Sequence, residues 1–130
     1  MTTETLVLDL TILLAFIQVI IQLLIMTGVY GLPALVGARD NLPASDNVYL
    51  GRMRRTNANM LESLPWALAL LIMVQVAGVA GGATAFGAWL YLIARVVYLP
   101  MYVFGVPWLR TLSWLASIVG LAFLLVPLFG

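Results

Sequence analysis

The sequence predicts an all-α integral membrane protein, a four-helix bundle with a left-handed, up-and-down topology. Hydrophobic residues make up 64% of the 130 residues and charged residues only 8%, a composition too apolar for a soluble globule. Four apolar runs are long enough to cross a bilayer, which takes about 20 residues each. The chain has no internal repeat and no change in amino-acid composition that would mark a domain boundary. Residues 1–130 are therefore expected to form one domain.

The four spans are expected at residues 6–30, 50–79, 84–104 and 107–129. The second helix is expected to begin before the membrane, near Leu50. Between the second and third spans, the pair Gly81 and Gly82 predicts a tight hairpin turn. Gly105 interrupts the chain before the fourth span, and Pro107 suits the first turn of that helix.

The placement of the arginines predicts the orientation. All six basic residues are Arg; four lie between Arg39 and Arg55 in the first loop, and Arg110 lies in the third connection. The second connection has no charge, and the N-terminal part carries only Glu4 and Asp9. The positive-inside rule therefore places the first and third loops in the cytoplasm and both termini on the opposite side. A net charge of +1 gives no indication of a nucleic-acid partner.

Two predicted helices carry a polar face. In the second span, four residues spaced by three, four and three share an arc of about 80°: Arg52, Arg55, Asn59 and Glu62. The third span carries four more at helical spacing: Tyr91, Arg95, Tyr98 and Tyr102. A charge at membrane depth costs roughly 3 kcal/mol or more. Both faces are therefore expected to turn inward, toward each other or toward a neighbouring subunit.

A structural interpretation of these faces is also open. Arg55 or Arg95 could pair with Glu62 and hold the helices together, while the tyrosines pack and form interhelical hydrogen bonds. Gln18 and Gln22 in the first span are typical of such interhelical bonding. This interpretation leaves positive charge unexplained, because three guanidiniums face one carboxylate. The surplus indicates an anionic ligand with more than one acidic group.

The residue inventory limits the possible chemistry. The chain has no His and no Cys, which excludes the usual general base, a thiol nucleophile and tight metal or haem ligation, so no metal site is expected. There is no glycine-rich phosphate loop and no second acid near Glu62 in the spans. Arginine stays protonated and can stabilise an anion. In an enzyme of this composition, the reactive group would arrive with a cofactor or substrate.

Two segments resemble a known family. The segment GRMRRTNANMLESLPWAL resembles the helix-two signature of the MAPEG family (membrane-associated proteins in eicosanoid and glutathione metabolism). The residues in register are Arg52, Arg55, Asn59, Glu62 and Pro65. The segment ARVVYLPMYVFGVPWLR is similar to the family's helix-three motif. Its matching residues are Arg95, Tyr98 and Tyr102, followed by an arginine that opens the fourth helix.

The resemblance implies a homotrimer that binds glutathione or a related thiol between adjacent subunits, near the cytoplasmic side. The implied ligands of glutathione are Arg52, Arg55, Asn59, Glu62, Arg95, Tyr98 and Tyr102. Arg55 and Arg95 would pair with its two carboxylates, while Tyr98 and Tyr102 donate hydrogen bonds. Glu62 would pair with the ammonium group, and Asn59 with a peptide group. Arg110 is the implied catalytic residue, because an arginine near the start of helix four supports the thiolate in characterised members.

The implied activity is transfer of the thiolate to a lipophilic electrophile, or peroxide reduction, with the apolar substrate drawn from the bilayer. The layout is most similar to bacterial members, which implies the bacterial inner membrane. Ser63 stands where many members have Tyr, so one implied contact is missing. Two alternatives are a catalytically silent relative with a structural or ligand-binding role and a small multidrug-type transporter. The transporter is disfavoured because cation export does not suit three arginines beside one Glu.

Overall fold

The computed structural model describes residues 1–130 and contains only helices and their connections. In chain order, the helices are α1 (Thr3–Tyr30), α2 (Leu32–Val36), α3 (Val48–Val76), α4 (Gly82–Val103) and α5 (Pro107–Leu125), followed by a 3₁₀ turn (Val126–Phe129). Four of them, all but the short α2, are long and apolar enough to cross a membrane. The prediction of an all-α membrane bundle is confirmed.

The turn between α3 and α4 differs from the one expected at Gly81 and Gly82. Helix α3 ends at Val76, three residues before the predicted end. Gly78 then adopts the left-handed conformation with φ of 70°, and the Val79 amide donates to the Val74 carbonyl oxygen at 3.0 Å. This is the Schellman pattern that closes a helix, and it favours a residue without a Cβ at the left-handed position. Gly81 instead caps the start of α4.

The long helices alternate in direction, so both termini lie at one end of the bundle, here called the terminal end. There, the Thr2 hydroxyl donates to the Gln75 side-chain oxygen at 2.9 Å, which ties the start of α1 to the end of α3. The opposite end holds the α1–α3 loop and the α4–α5 turn. There, Arg52 Nη1 donates to the Val103 carbonyl oxygen at 3.0 Å. We call it the arginine end.

Helices α4 and α5 form the most closely packed pair. Gly87 and Gly120 bring the two backbones together: a Cβ added at Gly120 would lie 2.7 Å from the Gly87 carbonyl oxygen. Small residues at such crossings are typical of membrane helices, where close van der Waals packing drives association. The Phe86 and Phe123 rings meet edge to face beside them, 5.0 Å apart. Helix α3 packs much less on α5, which leaves a groove between them.

Helix α1 packs on α3 through one face. Its buried positions recur at helical spacing, and the buried Gln18 donates to the Asn57 side-chain oxygen at 3.0 Å. Asn57 in turn donates to the Gln22 side-chain oxygen at 2.6 Å. The two glutamines therefore form the interhelical hydrogen bonds expected of them. The opposite face of α1 exposes large apolar residues such as Phe16 and Leu24, which suits contact with hydrocarbon.

Replacing Thr84 by Val is expected to lower the free energy of unfolding by about 1–3 kcal/mol. Glu4 is buried, and its carboxylate accepts a hydrogen bond from the Thr84 hydroxyl at 2.6 Å. The variant leaves that carboxylate without its donor and also removes the acceptor of the Gly81 amide at the start of α4. Thermal unfolding in detergent, followed by circular dichroism, measures the loss. Thr27→Val is the matched control, because the Thr27 hydroxyl only donates within its own helix. An equal loss in both variants would show that the Glu4 contact contributes nothing.

Candidate functional site

Side chains of α3 make a row of four contacts with α4 that runs from the arginine end toward the middle of the bundle. We call this row the polar ladder. Its rungs are Arg52–Val103, Arg55–Tyr102, Asn59–Arg95 and Ser63–Tyr91, with donor–acceptor distances of 3.0, 2.9, 2.6 and 3.0 Å. The α3 members recur every three or four residues and so share one helix face. The two predicted polar faces therefore meet each other within one subunit.

Arg95 lies at the centre of the ladder and is only 1% exposed. Its Nη1 donates to the Asn59 side-chain oxygen, and its guanidinium lies 4.5 Å from the centre of the Tyr98 ring. Its Nε and Nη2 atoms are buried and have no hydrogen-bond partner. Burying a charged donor without a partner is costly. The fold thus holds two guanidinium nitrogens whose N–H bonds can donate to an anion.

Two further arginines flank Tyr102 nearer the arginine end. Arg55 Nε donates to the Tyr102 hydroxyl, and the Arg110 guanidinium lies 4.9 Å from the centre of the Tyr102 ring. The Tyr98 and Tyr102 rings are 5.6 Å apart. Cations are attracted to the negative faces of such rings. The tyrosines therefore gather three guanidiniums in one region without a carboxylate between them.

Glu62 does not neutralise this cluster. Arg95 donates to Asn59 and Arg55 donates to Tyr102, and neither forms the ion pair with Glu62 that the structural interpretation offered. The Glu62 side chain is exposed on the flank of α3 that faces the groove toward α5. Its carboxylate is available to a positively charged group of a ligand.

Two cavities meet beside the ladder. The polar cavity has a volume of about 240 Å³ and is lined by Asn59, Tyr98, Tyr102, Arg110, Thr111 and Trp114. The apolar groove between α3 and α5 has a volume of about 410 Å³, and its walls include Trp66, Leu70, Ile118, Leu121 and Leu125. Asn59 and Trp114 line both. The two cavities therefore share part of their walls.

The polar ladder lies on the two segments that resembled the family motifs, and a family comparison decides the relationship. The model of the MAPEG family matches residues 8–130, nearly the whole chain. The chain belongs to the MAPEG family. MAPEG proteins are a membrane family related to glutathione. With four helices able to cross a membrane, this member is a multi-pass integral membrane protein. No curated protein and no solved structure matches the chain.

In this MAPEG protein, the eight residues named from the sequence fall in one connected region. Asn59, Tyr98, Tyr102 and Arg110 line the polar cavity. Arg95 lies behind the cavity, bonded to Asn59. Arg55 lies at the arginine end of the region beside Tyr102, and Glu62 lies in the adjoining groove.

Arg52 has a different environment from the other seven. Its guanidinium binds the Val103 carbonyl oxygen at the end of α4, where the helix dipole is negative. A Cβ added at Gly105 would lie 2.9 Å from Arg52 Nη2, so the side chain packs directly on the glycine turn. Arg52 thereby holds the end of the MAPEG helix that carries Tyr102.

The sequence did not reveal three residues of this MAPEG site. Trp114 lines both cavities, and Thr111 lines the polar one. Ser63, read as a missing contact, forms the innermost rung with Tyr91. At about 100° per residue, Ser63 lies only about 20° from Arg52 around α3, which places it on the polar face. This angle could have placed Ser63 with the other polar residues from the sequence alone.

Proposed function

We propose that this MAPEG protein binds glutathione in the polar cavity and presents its thiolate to a lipophilic electrophile in the apolar groove. With an electrophile the product is a thioether; with a peroxide, two glutathione molecules are oxidised to their disulfide while the peroxide is reduced to an alcohol and water. The observation that carries the proposal is the buried Arg95, whose Nε and Nη2 atoms have no partner. Glutathione has two carboxylates, one ammonium group and one thiol. The carboxylates complement the clustered arginines, and the ammonium group complements the free Glu62 carboxylate. The thiol supplies a nucleophile that a chain without Cys lacks.

Each charged group of glutathione has a complementary side chain. Arg55 and Arg95 bind the two carboxylates, and Glu62 binds the ammonium group. Asn59 accepts from Arg95 through its side-chain oxygen, which leaves its NH₂ group free to donate to a peptide carbonyl. The hydroxyls of Tyr98 and Tyr102 donate further hydrogen bonds.

Arg52 belongs to the same binding set. It adds positive charge at the arginine end, and its bond to the Val103 carbonyl fixes the helix end that carries Tyr102.

Arg110 is the catalytic residue in this arrangement. Glutathione supplies the nucleophilic sulfur, and the Arg110 guanidinium, which lines the polar cavity, stabilises its anionic form. The apolar side chains of the groove exclude water from the reacting atoms and concentrate a substrate that dissolves in lipid. Trp114, which lines both cavities, contacts both ligands.

We place the protein in the bacterial inner membrane as a homotrimer, with glutathione between adjacent subunits. The arginine end faces the cytoplasm, because four arginines lie between Arg39 and Arg55 and a fifth is Arg110. Glutathione then enters from the cytoplasm, while the electrophile enters sideways from the bilayer. The family resemblance supports the trimer, and exposed Glu62 and Trp66 leave the site open toward a neighbour.

Glu62→Ala, Arg55→Ala and Arg95→Ala are each expected to weaken glutathione binding by about 1–3 kcal/mol, because each removes a charge-assisted hydrogen bond. Isothermal titration calorimetry of the protein purified in detergent measures the affinity. Arg54→Ala is the matched control, since Arg54 is exposed on α3 and lies off the polar ladder. Wild-type affinity in all three variants would place the ligand elsewhere.

The difference absorbance of the thiolate tests activation directly. Titration with glutathione should give a saturable thiolate signal, and the same sample should consume a lipophilic electrophile such as chlorodinitrobenzene. Binding without a thiolate signal and without turnover would instead identify a catalytically silent member of the family.

A further inference from the structure

The innermost rung of the polar ladder opens into the apolar groove. Ser63 lines that groove, and its hydroxyl is the only one among the lining side chains. Its Oγ lies 3.0 Å from the hydroxyl oxygen of Tyr91, which is fully buried. A lone hydroxyl held by a buried phenol, in walls that are otherwise mostly apolar, is placed to select a polar atom of the substrate.

The direction of the hydrogen bonds follows from what each hydroxyl can reach. Ser63 is the hydrogen-bond partner of the Tyr91 phenol. If Tyr91 did not donate to Ser63, its proton would lie unpaired in a buried environment, which is unfavourable. Tyr91 therefore donates and the Ser63 oxygen accepts.

The Ser63 hydroxyl then donates to the Met60 carbonyl oxygen, which lies 3.3 Å from Ser63 Oγ. This is longer than the usual range of about 2.5–3.0 Å for a hydroxyl donor, so the bond is weak. The proton can turn into the groove when a better acceptor arrives there. Donation by Tyr91 also polarises the Ser63 hydroxyl and makes it a stronger donor.

We infer that Ser63 donates a hydrogen bond to the oxygen of the electrophile and that Tyr91 positions it. The preferred substrates are then apolar molecules with a carbonyl conjugated to a carbon–carbon double bond. The inference rests on the proposed function, because the attacking thiolate is that of glutathione. The groove, at about 410 Å³, has room for such a molecule with its chain between α3 and α5.

The reaction balances without an oxidant or reductant. The thiol loses its proton to water when the thiolate forms. A sulfur–carbon bond then forms at the β-carbon; the electron pair of the carbon–carbon double bond moves toward the carbonyl carbon, and the carbonyl π pair moves onto oxygen. Ser63 donates its hydrogen bond to this enolate oxygen, where charge develops. Water returns a proton to the α-carbon, and the carbonyl is restored.

Two electrophiles of matched chain length test the inference. Nonenal carries the conjugated carbonyl, whereas nonyl iodide reacts with the same thiolate and has no oxygen. In Ser63→Ala and in Tyr91→Phe, kcat/KM for nonenal should fall about tenfold, while kcat/KM for nonyl iodide stays within about twofold of wild type. The double variant should fall no further than Ser63→Ala, because the two hydroxyls act as one unit. Ser63→Thr keeps the hydroxyl and should retain the preference for nonenal.

The remaining outcomes distinguish a role of Ser63 in substrate selection from a purely structural one. An equal loss for both electrophiles, or no loss for nonenal, would overturn the inference and make the Ser63–Tyr91 contact structural. Tyr91→Phe keeps the ring that packs in the interior, so it decides the matter if Ser63→Ala folds poorly. The glutathione thiolate signal is measured in the same samples and should be unchanged. A wild-type protein without that signal would overturn the proposed function instead.

Discussion

Replacing Arg110 by Ala is expected to lower kcat for conjugation by about 10²-fold and to abolish the thiolate absorbance of bound glutathione. The Arg110 guanidinium lies 4.9 Å from the centre of the Tyr102 ring, and Arg110 is the only arginine that lines the polar cavity. Without it, no cation in that cavity stabilises the thiolate. The affinity for glutathione should change little, because Arg55, Arg95 and Glu62 hold its charged groups. Stopped-flow turnover and difference absorbance measure the two effects.

Two further variants test whether the positive charge at position 110 is responsible for the effect. Arg110→Lys keeps the positive charge and should recover part of the thiolate signal, although Lys lacks the planar guanidinium that stacks on Tyr102. Arg54→Ala removes an exposed arginine away from the polar ladder and should leave kcat unchanged. If Arg110→Ala kept full turnover and the full signal, another group would activate the thiol. If the wild type bound glutathione without turnover, the protein would be a silent binder.

The helix faces were predictable from the sequence because helical periodicity fixes which residues share a face. The spacing of Arg52, Arg55 and Asn59 placed them together, and the structure confirms that they line one side of α3. The spacing could not say whether this face meets α4 or another subunit. That choice depends on how the helices are joined and packed in three dimensions.

The partners of the charges were harder to predict. Opposite charge alone suggested that Glu62 pairs with Arg55 or Arg95. Around α3, however, Glu62 lies only about 20° from Arg55 but is two turns, or about 10 Å, further along the axis. Its side chain lines the groove toward α5, and the arginines bond to Tyr102 and Asn59 instead. Which of these partners lies within reach is known only once the position of the neighbouring helix is known.

Replacing Gly120 by Ala is expected to lower the free energy of unfolding by about 1–3 kcal/mol or more. A Cβ at Gly120 would lie 2.7 Å from the Gly87 carbonyl oxygen and 2.7 Å from the Tyr91 backbone nitrogen. Both are backbone atoms, so no side-chain rotation relieves the overlap and α4 must move away from α5. Unfolding of the detergent-solubilised variant, followed by circular dichroism, measures the loss.

Gly28→Ala is the matched control, because Gly28 lies in α1 with no heavy atom within 4 Å of the added Cβ. There, Ala should be neutral or should stabilise the helix by about 0.5–1 kcal/mol. Gly120→Ala should also displace Tyr91, so we expect it to reduce turnover of nonenal more than turnover of nonyl iodide. A variant as stable as wild type would show that the two helices can separate at no cost, and that the α4–α5 crossing does not fix the position of Tyr91.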